Sequence, residues 1–260
     1  MLKVLITGVA SGIGKAIKDY FINAGHFVYG IDVSEIEQEI NLVSFKADIT
    51  NKDELNRIYE SIDEKLDLII NVAGIHKMAS LVETDFDKIK KVIDINLVGT
   101  MLVNNTFHPL LKEKGRILIV TSEVAGFDPM PFNGLYNVSK TGLESYAQAL
   151  RQELNLIDQK VITIRPGAIE TPLASFSMDD TKALAEQTKL YEKQAGKFYK
   201  IARKFMGTPI KAEKIAKIIY KAGTCKHPKI IYKKHQNIGL VLLNLLPLRL
   251  QCFVIKMLLK

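Results

Sequence analysis

Cysteine is nearly absent: Cys225 and Cys252 are the two in 260 residues. Two thiols build neither a disulfide framework nor a cysteine-rich metal centre. No metal site is therefore expected, and a reducing, cytoplasmic setting is. The first apolar run begins at Leu2 and has strand length, so no signal peptide is expected. The chain also lacks internal repeats, low-complexity tracts and any linker that would divide it. Acidic residues are scarce in one part only. Residues 182–260 carry three Asp/Glu against 18 Lys/Arg, while residues 1–181 carry 25 against 18. The overall charge of +8 hides this asymmetry. It is either a solvated face or an attraction to something anionic.

What is present is enough for one large α/β domain. A length of 260 residues with 47% hydrophobic content buries a full core. Leu2–Ile6 is a short apolar run of strand length, followed by Thr7-Gly8-Val9-Ala10-Ser11-Gly12-Ile13-Gly14 and then helical periodicity through Ile17, Tyr20 and Phe21. A glycine-rich turn between strand and helix lets backbone N–H groups approach a pyrophosphate at the positive helix end. A second strand, His26–Ile31, ends at Asp32. A carboxylate there accepts hydrogen bonds from an adenosine ribose and repels a 2′-phosphate, and no basic residue stands at Ser11, Val33 or Ser34. NAD is expected in preference to NADP. A turn-forming aspartate is the structural alternative.

Further strands are expected at Leu42–Ala47, closing on Asp48, and at Leu66–Asn71, running into Val72-Ala73-Gly74. Others follow at Arg116–Thr121, Lys160–Arg165 and Lys229–Tyr232. Helices alternate with them over Asn51–Ile62, from a Thr84/Asp87 capping box onward, from Tyr136 to about Asn155, and over Ala212–Lys221. This alternation without return hairpins implies a doubly wound, mostly parallel seven-stranded sheet of Rossmann type, with helices on both faces. The helix after Thr84 carries Asn96 in its interior, where asparagine either bonds locally or faces solvent.

The stretch Thr121–Lys140 holds the chemistry. Tyr136 and Lys140 are four residues apart, which on a helix puts phenol and ammonium on one face. A nearby cation favours phenolate, making the tyrosine a general base near neutrality. Ser122, at a strand end, is placed to orient an alcohol or carbonyl. Tyrosine and lysine at this spacing are otherwise ordinary neighbours on a solvated helix.

In this order the motifs resemble the short-chain dehydrogenase/reductase family over roughly Leu2–Tyr232. Gly8, Gly12 and Gly14 have its loop spacing, and Asn71-Val72-Ala73-Gly74 is similar to its Asn-Asn-Ala-Gly. Asn96, Ser122, Tyr136 and Lys140 match its catalytic tetrad, and Pro166-Gly167 its loop near the nicotinamide. One departure stands out. The family's serine is followed by two residues and then glycine, whereas three residues separate Ser122 from Gly126, so an ungapped count puts Glu123 at the serine position. Ser122 is preferred because its hydroxyl can donate to a substrate oxygen, whereas a carboxylate would repel a developing alkoxide.

The resemblance implies hydride transfer between a nicotinamide dinucleotide and a secondary alcohol or ketone, with Tyr136 exchanging the hydroxyl proton. Lys140 would lower the tyrosine pKa and hold a ribose, and Asn96 would hold a water leading to solvent. The implied cofactor-binding set is Gly8, Ser11, Gly12, Ile13, Gly14, Asp32, Asp48, Ile49, Asn71, Ala73, Gly74, Tyr136, Lys140, Pro166, Gly167, Ile169 and Thr171. Expected partners are a lipophilic small molecule and further copies of the chain, with no nucleic acid. The alternative is a dinucleotide-sensing or membrane-surface protein that keeps the fold without turnover.

Residues 1–237 are read as the catalytic domain, with 173–207 as a lid over the substrate. Residues 238–260 form an apolar and basic tail interrupted by Asn244, Pro247, Arg249 and Gln251. Beyond Pro247 a helix places Arg249, Lys256 and Lys260 along one stripe. That is the layout of an interfacial helix on an anionic membrane surface, with burial against the core or a partner subunit as the alternative.

Overall fold

The structure is a computed structural model and describes residues 1–205 and 208–260. In chain order the elements are β1 (Lys3–Thr7), α1 (Gly12–Asn23), β2 (Phe27–Asp32), β3 (Leu42–Lys46), α2 (Lys52–Glu60), β4 (Leu66–Asn71), α3 (Phe86–Ile93) and α4 (Thr100–Phe107). They continue with β5 (Leu111–Val120), α5 (Gly134–Asn155), β6 (Lys160–Pro166), β7 (Ile169–Glu170), α6 (Pro172–Gln187) and α7 (Glu192–Phe205). The chain closes with β8 (Ile210–Lys211), α8 (Ala212–Thr224), β9 (Ile231–Lys234), α9 (Ile238–Leu243) and α10 (Leu248–Leu259).

Seven strands form one sheet in the order β3-β2-β1-β4-β5-β6-β9, and every pairing is parallel. Side chains alternate across it. Val4 and Ile6 join α1 and α8 through Ile17, Phe21, Ile215 and Ile219, while Leu5 joins α2, α4 and α5 through Leu55, Val103, Phe107 and Leu143. Both sets are buried, which is why the strands read as unbroken apolar runs.

Several local expectations change. The helix of Tyr136 begins two residues early, at Gly134, and the last strand is Ile231–Lys234 instead of Lys229–Tyr232. Thr84 does not cap a helix: its hydroxyl donates to Ser80 O at 2.6 Å, and Asp85 takes the N-cap position without a side-chain cap bond. The long helix after it is broken by a π-helical turn at Asp94–Gly99, and Asn96 sits in that turn. Strands β7 and β8 pair in a separate two-stranded parallel sheet that sequence periodicity did not reveal, each being two residues long. The expected lid holds α6 and α7; its residues 206–207 lie outside the described residues.

A third apolar cluster gathers Met78, Phe132, Ala195, Phe198 and Leu259, with Ile255 packed against it. It joins α7 and α10 to the loop after β5. The tail is thus partly core: Gln251 and Leu259 are buried, while most of its other large side chains are exposed. Among the described residues, no helix is long and apolar enough to cross a membrane.

Candidate active site

Strand order reverses between β1 and β4, and the loops leaving their carboxyl ends bound a crevice of about 410 Å³. Glycine is required there. Gly8 has φ +76°, and a Cβ on it would lie 2.9 Å from the Ala73 backbone. A Cβ on Gly14 would lie 1.9 Å from the Gly8 carbonyl oxygen, so α1 can begin this close to β1 only without a side chain. Ser11, Gly12, Ile13, Asp32, Ile49, Ala73, Gly74 and Thr171 complete the walls with these two glycines. A cradle that added methyl groups would fill, at the N-terminus of a helix, fits a dinucleotide pyrophosphate.

Asp32 lies at the end of β2 and is held on both oxygens: Oδ2 accepts from Ala10 N and Oδ1 from Ser34 N, each at 3.0 Å. It is therefore a turn-former and a crevice wall at once. No Lys or Arg is among the described residues lining the crevice. Two members of the expected set line neither this crevice nor the cleft it opens into. Asp48 turns its Oδ1 to the Thr50 backbone and hydroxyl, both at 2.8 Å. Asn71 is buried behind the wall and donates to Asn104 Oδ1 at 2.8 Å.

The crevice continues, through Ile13, Val72, Gly74, Ile75, Thr171 and Leu173, into a second cleft of about 250 Å³. Ser122, Tyr136, Lys140, Pro166, Gly167 and Ile169 line this cleft. The Ser122 hydroxyl lies beside the Tyr136 phenol and favours its ionised form. It also accepts from Val124 N at 3.4 Å. The Glu123 carboxylate turns away instead and accepts the Asn237 N–H at 2.6 Å. The residue that lies against the phenol is the serine, and the additional loop residue is absorbed in a 3-10 turn at Glu123–Gly126.

The ammonium of Lys140 is buried, 5.8 Å from the Tyr136 ring centroid, with one hydrogen bond among the described residues, to Val120 O at 3.3 Å. Burial drives its pKa down to about 8. Among the described residues two of its three donors are left for ligand hydroxyls, which suits the expected hold of Lys140 on a ribose. The phenol of Tyr136 departs from expectation. Burial pushes its pKa up to about 12, the nearby Ser122 hydroxyl opposes this, and the negative charge of Glu123 adds to it. At this distance Lys140 does not reverse the cost of desolvation.

Asn96 neither bonds locally nor meets solvent. Its Oδ1 accepts from Ile75 N at 2.8 Å, and its Nδ2 donates to Ile75 O and Ser139 Oγ, both at 2.9 Å. The side chain ties the loop after β4 to α5. Gly74 marks where these groups converge: a Cβ there would lie 3.0 Å from Asn96 Oδ1 and 3.4 Å from Lys140 Nζ. These bonds use both Nδ2 protons of the Asn96 side chain.

Sequence reasoning missed His76. Its ring lies tilted at 53° against Tyr136, centroids 4.4 Å apart, with Nε2 3.1 Å from Asn133 Oδ1. Burial pulls its pKa down to about 4, so the imidazole is neutral at physiological pH. Its place directly after Gly74-Ile75 was the available signal. Val72, Ile75, Met78, Val124 and Leu173 add apolar wall, while Thr121, Glu123, Asn133 and Asn237 add polar groups to the lining.

Comparisons with known proteins agree with this geometry. The sequence signature of the family described as short chain dehydrogenase matches residues 2–182. An NADPH-dependent 1-acyldihydroxyacetone phosphate reductase of Schizosaccharomyces pombe is 31% identical over 200 residues, covering 72% of this chain and 67% of the relative. An uncharacterized oxidoreductase of Staphylococcus saprophyticus is 29% identical over 185 residues, covering 65% and 79%. A short chain dehydrogenase from Burkholderia cenocepacia, solved with NADP, superposes with a TM-score of 0.76 at 19% identity, covering 100% of this chain and 98% of that one. One from Francisella tularensis superposes at 0.75 with 24% identity, covering 90% and 96%. With the glycine cradle at the strand-order reversal, the tyrosine–lysine pair beyond it and a signature match over most of its length, this chain belongs to the short-chain dehydrogenase family of NAD(P)-dependent oxidoreductases.

Proposed function

We propose that this protein interconverts a lipophilic secondary alcohol and its ketone, with NAD(H) preferred over NADP(H). The observation that carries the reading is the meeting of the Ser122 hydroxyl, the Tyr136 phenol and the buried Lys140 at the junction of a glycine-lined crevice and a largely apolar cleft. A bound nicotinamide ring supplies the hydride donor or acceptor. Ser122 donates to the substrate oxygen and orients it. Tyr136 gives its phenolic proton to that oxygen in reduction and takes it back in oxidation. Lys140 holds ribose hydroxyls, and Asn96 fixes the loop carrying Gly74 against α5. The wider set of dinucleotide contacts, from Gly8 to Thr171, belongs to the same proposal.

The preference for NAD rests on Asp32, a carboxylate on the crevice wall that would repel a 2′-phosphate, with no Lys or Arg among the described lining residues. The yeast relative is named for NADPH and the Burkholderia structure holds NADP, so the preference is argued from this chain's own crevice. Fluorescence titration with NADH and NADPH tests it. NADH should bind at least about tenfold more tightly, and Asp32→Ala should narrow the gap; tighter binding of NADPH overturns it. The proposal also includes a cytoplasmic setting, self-association, and contact of residues 238–260 with an anionic membrane surface.

A further inference from the structure

Nine large hydrophobic side chains are exposed within the last 23 residues. They are not scattered. Helix α10 divides into three stripes. Gln251, Ile255 and Leu259, four residues apart, face inward: Ile255 and Leu259 join the Met78–Phe132–Phe198 cluster, and Gln251 Nε2 donates to Asp128 Oδ2 at 3.0 Å. Arg249, Lys256 and Lys260 form an exposed basic stripe. Leu250, Phe253 and Met257 form an exposed apolar one, with Phe253 and Met257 more than half exposed. Ile238, Leu242 and Leu245 extend the apolar surface along α9 and the turn after it, and Lys233 and Lys234 are exposed just before it.

An apolar stripe bordered by cations suits the boundary between lipid headgroups and acyl chains. A second copy of the chain suits it less. A two-fold contact would set the basic stripe against itself, and the sequence holds no Asp or Glu after Glu213 to neutralise it.

We infer that α9 and α10 dock on a bilayer containing anionic lipid and that the alcohol or ketone is drawn from that bilayer. The inference rests on the proposed function for its substrate. The inward stripe of α10 packs in the cluster that contains Met78, and Met78 lines the cleft. Asn237, the residue before α9, also lines the cleft and is held by Glu123. Asp128 N donates to Asn244 Oδ1 at 2.7 Å, tying the loop after β5 to the turn between the two helices. Docking face and cleft wall are therefore opposite sides of one packed unit, so a docked molecule keeps its cleft beside the lipid surface.

Co-sedimentation of the full chain tests this, with vesicles of phosphatidylcholine alone or with phosphatidylglycerol added. Binding should require the anionic lipid and weaken as salt rises. It should fall by about a hundredfold or more in the triple variant Arg249→Glu/Lys256→Glu/Lys260→Glu, and fall in Phe253→Ser/Met257→Ser. Both variants should keep the wild-type circular dichroism, NADH affinity and turnover of a short water-soluble ketone. For a long-chain ketone dissolved in the vesicles, kcat/KM should rise with anionic lipid in the wild type and stay flat in the variants. Equal binding to neutral vesicles, no binding, or a flat wild-type response overturns the inference. A dimer that dissociates in Phe253→Ser/Met257→Ser without vesicle binding assigns the face to a second copy and also overturns it. Failure of the soluble ketone in the wild type, with vesicle binding intact, sinks the proposed reaction and not the docking.

Discussion

At the residue scale, the site keeps an ionisable pair where burial disfavours both charges. The Lys140 pKa falls from its ordinary value of 10.5 to about 8 in the folded chain. A depressed value means that the fold favours the neutral amine. The native state thus bears no charge penalty above pH 10.5 and a growing one as pH falls to 8. That penalty is about 3 kcal/mol at neutral pH, partly offset by the bond to Val120. Lys140→Met should therefore be more stable than wild type to urea at pH 7, with the difference closing towards pH 10; a difference independent of pH would refute a buried, depressed lysine. The phenol of Tyr136 is shifted the other way, to about 12. Ultraviolet difference spectra of wild type against Tyr136→Phe should show no phenolate signal from this residue up to pH 9 in the cofactor-free protein. Oxidised dinucleotide, which brings a positive ring, should lower that ionisation, and the neutral reduced form should not. Tyr136→Phe should retain dinucleotide affinity and lose turnover by about a thousandfold or more. Ser122→Ala should cost far more activity than Glu123→Ala, since the serine is the one against the phenol; the reverse ranking would move the assignment to Glu123.

At the element scale, the π-helical turn between α3 and α4 replaces regular helix where Asn96 must face inward. Its amide makes three hydrogen bonds across to Ile75 and Ser139 and is fully buried. Asn96→Ala leaves the Ile75 N–H and C=O orphaned and should cost about 3 kcal/mol, read from chemical denaturation. A loss within error would mean that water substitutes freely and that the turn is not held by this residue. In the first helix, Gly14→Ala places a methyl group 1.9 Å from the Gly8 carbonyl oxygen. The start of α1 must then shift, so NADH affinity should fall much more than the fold's stability. Unchanged affinity would show that the glycine loop does not cradle the dinucleotide.

At the scale of the whole molecule, the tail is both cover and exposed surface. Leu259 and Ile255 complete the cluster over Phe132 and Phe198, and Asp128 ties the loop after β5 to Asn244 and Gln251. Truncation after Asn237 should lower the melting temperature by several degrees and open α7 to limited proteolysis, while the strands of the sheet keep their hydrogen-exchange protection. A truncated chain that melts with the full one would show that the tail adds nothing to the fold.

Local pattern alone determined much of this protein. Apolar runs of strand length alternating with helical periodicity specified a parallel sheet covered on both faces. The glycine spacing before α1 and the Tyr136–Lys140 interval marked the candidate site, because such signals are carried by residues close together in the chain. What required the tertiary structure was everything set by distant packing. The direction of the Asn96 side chain, the contact of His76 with Tyr136, the nearness of Ser122 and not Glu123 to the phenol and the inward stripe of α10 each depend on residues brought together from separate segments. The tyrosine shows the difference most plainly. Its spacing from Lys140 suggested a lowered pKa, but desolvation is a property of the enclosing walls, and in the folded chain the walls prevail.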